Sequence, residues 1–356
     1  MAAAINLAAL TFTADQLRSM NELVVKATLE SPSLSLFHET ATGIKNDKEI
    51  GIIPGTLGLM GKAAQGCNPT ADTLTDTAAL KTWEPRRIEV IIDQCATDIA
   101  ASMAKLARKL GIEVNDLTNT EYFTFLLDLL SVDIPKMILR HAWFGNQAAA
   151  NVSDSPAGVL TDGVDPAYFN IINGFWYQLA VIYGATPARK IAVTGNSQAT
   201  YALQKSVATP TTILADLNNV IDSAPAILSA QPDQVLIVTR SVFQRAYRAL
   251  QAAGLAYKIE LQSNGFNLMN WDGIPMYSVP LFDEWIQAYE NNGTKWNNPH
   301  RILYTTKSNL VIGMEGTSLF DSVNSFYDPK SRVNRIEASD AFDAKVLNDE
   351  LLQVGI

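Results

Sequence analysis

The stretch IAVTGNSQATYAL, Ile191 to Leu203, carries the pattern nearest to a catalytic one. It reads as a short strand, a glycine-containing turn with a serine, and the start of a helix. Hydrolases expose a nucleophilic serine on a strained elbow in that setting. The fingerprint asks for Gly-x-Ser-x-Gly, and this chain offers Gly195, Ser197 and Ala199. Asp272 or Asp283, followed by His300, would complete the order serine, acid, histidine. No His-Gly-Gly-type stretch precedes the serine to supply oxyanion donors, so the reading depends on His300. The other reading is that Ser197 caps the helix that follows it.

Other chemistry fails on spacing. GTLGLMGKAA resembles a phosphate loop, but Thr56 stands where the first glycine is needed and Ala63 follows Lys62, leaving no hydroxyl for magnesium. His38, His141 and His300 are far apart and in no zinc-type motif, and Cys67 and Cys95 form no Cys-x-x-Cys pair. The sequence therefore points to no catalytic residue, no metal and no cofactor. Trp83, Glu84, Pro85, Arg86 and Arg87 form the densest remaining cluster. It reads either as a strand entry with solvated arginines or as a contact patch, since Trp and Arg are enriched at binding hot spots.

The elements that would hold these residues come next. The chain has 356 residues, 47% hydrophobic and only 18% charged, enough to bury a large core in two or three lobes. Its 27 basic and 36 acidic residues give a net charge of −9, with no cationic block to grip nucleic acid. No basic residue precedes the apolar N-terminal run, which argues against a secretory signal. The uncharged window between Asp165 and Arg189 is interrupted by Asn170, Asn173, Gly174, Gln178 and Pro187, so it reads as buried elements, not a membrane helix.

Thr13 to about Glu30 shows helical spacing. Residues 43 to 85 are rich in Gly, Thr, Ala and Pro, with no sustained helical face. A stretch that long is an extended arm or is disordered. RIEVII, from Arg87, alternates like a strand, and Asp93 to Leu110 is expected to be helical. The longest helix follows a Thr118–Glu121 capping pair. Its stripe runs from Phe123 to Ile138, and Phe125, Leu129 and Leu139 lie outside that stripe, predicting protein contact on more than one side. Pro135 is expected to kink it without ending it. Strand–helix units follow: a strand over Lys190 to Thr194, a helix over Ser197 to Lys205, a helix around Ile213 to Ile221, a strand at QVLIVT, and a helix capped by Ser241 and closed by Gly254. An arm that cannot pair its own backbone groups must pair them with another chain.

This order of elements resembles the major capsid protein of tailed bacteriophages, whose fold is shared by encapsulins. HAWFGN at the end of the long helix, QVLIVTRSVFQRAYRAL, WDGIPMYSVPLFDEW with Gly273, Ile274 and Pro275, TTKSNLVIGME, and SRVNRIEASDAFDAKVLN are each similar to family segments. The resemblance implies an α+β capsid fold: an N-terminal arm over 1–46, an extended β-hairpin loop over 47–87, a peripheral domain with a spine helix over 88–160, an axial domain over 161–308, and a return to the peripheral domain over 309–356. It makes Ser197 structural.

It further implies a structural subunit, not an enzyme, that self-assembles into hexamers and pentamers of an icosahedral virion shell around double-stranded DNA. The chain would be made in the host cytoplasm and bind neither membrane nor specific DNA sequence. Partners would be further copies of itself, with separate scaffolding, portal and capsid-decorating proteins. Candidate subunit-interface residues are Trp83, Glu84, Arg86, Arg87, Phe125, Leu129 and Leu139. The alternatives are an encapsulin-like compartment shell and a serine hydrolase using Ser197 and His300.

Overall fold

A computed structural model describes residues 36–46, 48–52, 79–95, 121–149, 166–254, 259–261, 267–316 and 323–356. The expected N-terminal helix, the Thr118 cap and most of the arm, including the 53–78 segment, lie outside the described residues. Two sheets organise the rest, one on each side of a shared apolar layer.

The first sheet is centred on β13 (Val333–Val346), a strand of 14 residues. One edge of β13 pairs antiparallel with β4 (Arg86–Cys95) along ten residues, from Val333 opposite Cys95 to Phe342 opposite Arg86. Its other edge pairs with β12 (Val323–Asp328) and then with β11 (Leu310–Met314). β1 (Glu39–Thr42) adds parallel to β11. The RIEVII strand is thus present and extends to Cys95, taking the first residues of the expected Asp93–Leu110 helix. Tertiary pairing with β13 wins there over local helical spacing, and Arg335 grips Asp93 through two contacts at 2.6 and 2.9 Å.

β2 (Glu49–Ile52) and β3 (Ala79–Thr82) pair antiparallel, Glu49 opposite Thr82 and Ile52 opposite Ala79. They form a hairpin root standing off the main sheet.

The second sheet has seven strands in the order β5 (Lys190–Ile191), β14 (Leu352–Gly355), β10 (Ile302–Thr306), β6 (Gln234–Val238), β9 (Ile274–Ser278), β8 (Asn267–Trp271) and β7 (Ile259–Leu261). β6, β10 and β14 are buried on both faces, as continuous apolar runs dictate. Alternation divides their side chains between two cores. Val235, Ile237, Leu303, Leu352 and Val354 enter one; Leu236, Val238, Ile302 and Tyr304 enter the other.

Helices cover both faces. The second core is closed by α4 (Pro210–Asp222) and α6 (Arg240–Ala252), among others. Thr209 caps α4 by accepting from the Thr212 N–H, with Pro210 at the first helical position, and Ile213, Leu217 and Val220 form its buried stripe. The first core takes the end of α1 (Glu121–Phe144), all of α2 (Phe175–Ala185) and α7 (Pro280–Tyr289). The same core holds Ile88, Ile312, Ala338, Phe342 and Ala344 from the first sheet. One apolar layer therefore fastens the two sheets together.

α1 is the long helix expected after the Thr118–Glu121 pair, and it continues through Pro135. Its end is set by a backbone approach that only glycines allow. The Gly174 N–H donates to the Gly145 carbonyl at 2.9 Å, and a Cβ on Gly145 would lie 2.4 Å from the His141 carbonyl oxygen. α2 follows at once, and Gln178 ties it to β13 by donating to the Ala344 carbonyl and accepting from the Val346 N–H.

Three local expectations change. The strand after Arg189 is only Lys190–Ile191, and the next helix, α3, spans Tyr201–Val207, with Thr200 as its cap in place of Ser197. α6 begins at Arg240, and its first N–H groups are met by Asp283 of α7 at 2.7 and 3.4 Å, so Ser241 is not the cap. A carboxylate from a neighbouring helix supplies what the local motif suggested a hydroxyl would. Beyond these, α2 lies against β13, and β14 sits inside the seven-stranded sheet. The chain thus crosses between the sheets on both sides of residue 309.

Candidate assembly surface

The serine constellation is resolved first. Ser197 is exposed in a turn, while His300 is buried, 2% exposed. Both imidazole nitrogens are occupied: Nδ1 contacts the Ser241 hydroxyl at 2.7 Å, and Nε2 contacts the Gln204 carbonyl oxygen at 3.0 Å. The Asn196 side chain braces the same residue, accepting from the His300 N–H and donating to its carbonyl, each at 2.9 Å. Burial lowers the His300 pKa to about 4, so the ring is neutral. Asp283 spends its oxygens on the α6 N–H groups, and Asp272 lies exposed in the β8–β9 turn. His300 is a cross-brace between α3, α6 and β10, and the Ser197–His300 pairing does not form.

The hairpin root is a different kind of site. Trp83 follows β3 directly, is 4% exposed, and packs with Ile44 and Val311. Gly313 makes this possible. A Cβ there would stand 2.7 Å from the Trp83 ring and 2.8 Å from the Ile44 Cδ1. The Trp83 N–H donates to the Lys48 carbonyl and the Ile44 N–H to that of Met314, each at 3.1 Å. Lys81 reaches across to the Val346 carbonyl at 2.7 Å and to Asp349 at 2.5 Å. The Glu84 N–H donates to Asp343 at 2.8 Å, and burial holds that carboxyl above its ordinary pKa. The root is thus fastened to β11, to β13 and to the segment that follows β13.

Around that root lie groups with little left to do inside the subunit. The Glu84 and Arg86 side chains are exposed and take no partner among the described residues, and Arg87 makes only a 3.4 Å contact with Ser339. Leu80 is 63% exposed on the hairpin and Phe326 is 41% exposed on the edge strand β12. Trp83 and Leu139, by contrast, are buried within the monomer, so their side chains pack inside the subunit. Phe125 and Leu129 lie on α1, but their side chains fall outside the described residues.

Sequence reading missed Ile44, Lys81 and Gly313 because their partners are distant in the chain. Leu80 and Phe326 gave no signal either, since an apolar residue in a strand is ordinarily read as buried.

A buried ion pair lies where the two sheets meet. Arg301 is hydrogen-bonded to Glu290, with the two side chains 2% and 1% exposed, and the guanidinium sits between the Phe144 and Trp176 rings at 5.2 and 5.1 Å. It joins the ends of α1 and α7 to α2 and the start of β10.

No family model matches this chain, and no curated protein matches it in sequence. Its architecture is nonetheless found among solved structures. The capsid of an empty GTA particle is matched over 94% of this chain and 98% of that one, at 9% identity and a TM-score of 0.52. A structure from Mycobacterium phage Ogopogo is matched over 97% and 99%, at 12% identity and a TM-score of 0.51. The chain has the phage capsid fold. The match runs nearly from end to end of the chain, and IAVTGNSQATYAL is one strand–turn–helix within that fold. No described helix is long and apolar enough to cross a membrane, and no metal-type cluster occurs among the described residues.

Proposed function

We propose that this chain is the major capsid protein of a tailed phage, the repeating subunit of an icosahedral shell around double-stranded DNA. The supporting observation is the end-to-end match to a GTA particle capsid, 94% of one chain on 98% of the other. The chemistry agrees, because the residues gathered around the hairpin root suit contact with another copy and not turnover of a substrate.

In this reading 1–46 is the arm, 47–87 the extended loop, 88–160 and 309–356 the peripheral domain, and 161–308 the axial domain. Subunits meet as hexamers and pentamers. Glu84, Arg86 and Arg87 at the loop root, with Phe125 and Leu129 on the spine helix, face neighbours, while Trp83 and Leu139 support them from inside. Scaffolding, portal and decorating proteins join from separate chains, synthesis occurs in the host cytoplasm, and the finished subunit resides in the virion. A net charge of −9 suits an inner surface that lets DNA spool past without holding it.

The test is to express the chain alone and with its genomic neighbours, then size the product by sedimentation and electron microscopy. Capsomers, tubes or closed shells are expected. A monomer or dimer under every condition would sink the proposal. Shells isolated from the native source should contain DNA; shells filled with a cargo enzyme instead would indicate an encapsulin-like compartment.

A further inference from the structure

The hydrolase reading leaves behind a cleft with unused chemistry. Beside His300, between α3, α6 and α7, lies a cavity of about 210 Å³. Its walls include Lys205, Arg245 and Arg248, with Trp296 on one side and Asp283 below. Among the described residues none of the three cations has an ion-pair partner. Asp283, whose oxygens accept the Arg240 and Ser241 N–H groups, supports the Arg245 charge without an ion-pair contact, leaving three cations against one carboxylate. Three positive charges thus surround a small cavity in a chain whose net charge is −9.

The cavity is also rigid. Gln204 fixes Trp296 through both backbone groups, accepting from its N–H at 3.1 Å and donating to its carbonyl at 2.8 Å. Lys205 lies over the indole ring at 4.8 Å, and Tyr201 packs against the same ring at 4.7 Å. Arg245 is held by the Lys205 carbonyl at 3.0 Å and the His300 Nδ1 at 3.3 Å. Those two contacts leave further guanidinium N–H donors unused. Burial and then the neighbouring Arg248 work against the Arg245 charge, Asp283 offsets them only in part, and a bound anion would relieve the remainder.

We propose that this cleft binds a small phosphate-type anion, inorganic phosphate or pyrophosphate, through Lys205, Arg245 and Arg248. Guanidinium forks match phosphate oxygens geometrically, and the lysine adds a mobile point charge. The cavity is smaller than the ~300–1,000 Å³ of pockets that enclose drug-sized ligands, which argues for a bare anion over a nucleotide. The site lies within one subunit and stands apart from the shell proposal.

The experiment is a thermal-melting titration of the full-length protein with phosphate and with pyrophosphate, against sodium chloride at matched ionic strength. A saturable rise in melting temperature is expected with the two phosphates and not with chloride. The Lys205→Gln/Arg248→Gln double variant changes two exposed residues and keeps the fold; its apparent affinity should fall by roughly tenfold or more. Absence of a saturable rise, or the same rise in the double variant, overturns the site. Competition by a short DNA duplex, at equal phosphate concentration, assigns the cleft to a nucleic-acid backbone and overturns the small-anion reading. None of these results bears on whether shells form.

Discussion

The two sheets of this subunit finish themselves to different degrees. The seven-stranded sheet has apolar cores on both faces, with β10 and β14 buried throughout and β6 from Val235 onward. The β13 sheet buries one face in the shared core but carries an exposed Phe326 on its edge strand and a hairpin root with an exposed Leu80. The strands of the first spend their apolar surface internally, and the exposed Leu203 and Ile227 lie on helical segments around it. The second keeps some on its strands and hairpin root, together with the Glu84 and Arg86 charges, which take no partner among the described residues. On the shell proposal, that difference marks the β13 sheet and the hairpin root as the place where a second copy would gain most.

The comparison can be broken first at the junction. Arg301→Met leaves Glu290 buried without its cation and should cost about 3–5 kcal/mol. Because one core joins both sheets, chemical denaturation should remain a single transition at lower denaturant; two separated transitions would show that the regions fold independently. Trp83→Ala comes next, at about 3 kcal/mol for the emptied volume beside Ile44 and Gly313. Its effect should stay local, with faster hydrogen exchange in 79–95 and lost assembly, while the β6 and β10 amides keep their protection.

A smaller effect is tied to pH. His141 is buried at the end of α1 with its Nδ1 unpartnered, and burial, then Arg140, lowers its pKa to about 3. The unfolded chain therefore takes up this proton first, and stability falls as pH drops from about 6.5 toward 3, by up to ~1.4 kcal/mol per unit. Burial raises Asp283 to about 6 and Glu290 to about 7, which acts in the opposite sense. The difference between wild type and His141→Leu isolates the histidine: the stability of wild type relative to the variant should fall as pH drops from 6 to 4. Equal slopes would mean that His141 does not titrate on unfolding.

The smallest effect on folding is the most informative about assembly. Leu80→Lys with Phe326→Lys should change monomer stability by under ~0.5 kcal/mol, as exposed substitutions do. Shell or capsomer formation, measured by sedimentation, should nevertheless be lost. Normal assembly of this variant would show that the exposed apolar residues are not contacts.

What the sequence revealed follows the range of each interaction. QVLIVT is a short apolar run, and the long helix repeats its stripe over several turns, so both were legible from local periodicity. Composition set residues 43–85 apart as an extended or disordered stretch, and its described ends β2 and β3 pair as strands. Ser197 misled because a strand–turn–helix looks the same whether its serine reacts or faces solvent; only the partners of His300 separate the cases. Thr200 and Asp283 displaced the expected caps for a related reason. The local motif offers a hydroxyl, but the N–H groups take whichever acceptor the packed structure brings nearest. The clamp of Gly313 on Trp83 and Ile44 joins residues more than two hundred positions apart, beyond any reading by window or motif.

The place of β14 has a consequence in time. β5 at Lys190 finds its partner only at Val354, and β10 likewise pairs on one side with residues Leu352 to Gly355. During synthesis the ribosome must deliver more than 160 further residues before β5 can enter its sheet. Such late, long-range closure is slow to nucleate, and a partly made chain cannot complete the layer that fastens the two sheets. If the chain is the shell subunit proposed above, its contact surfaces would be complete only once β14 has been delivered.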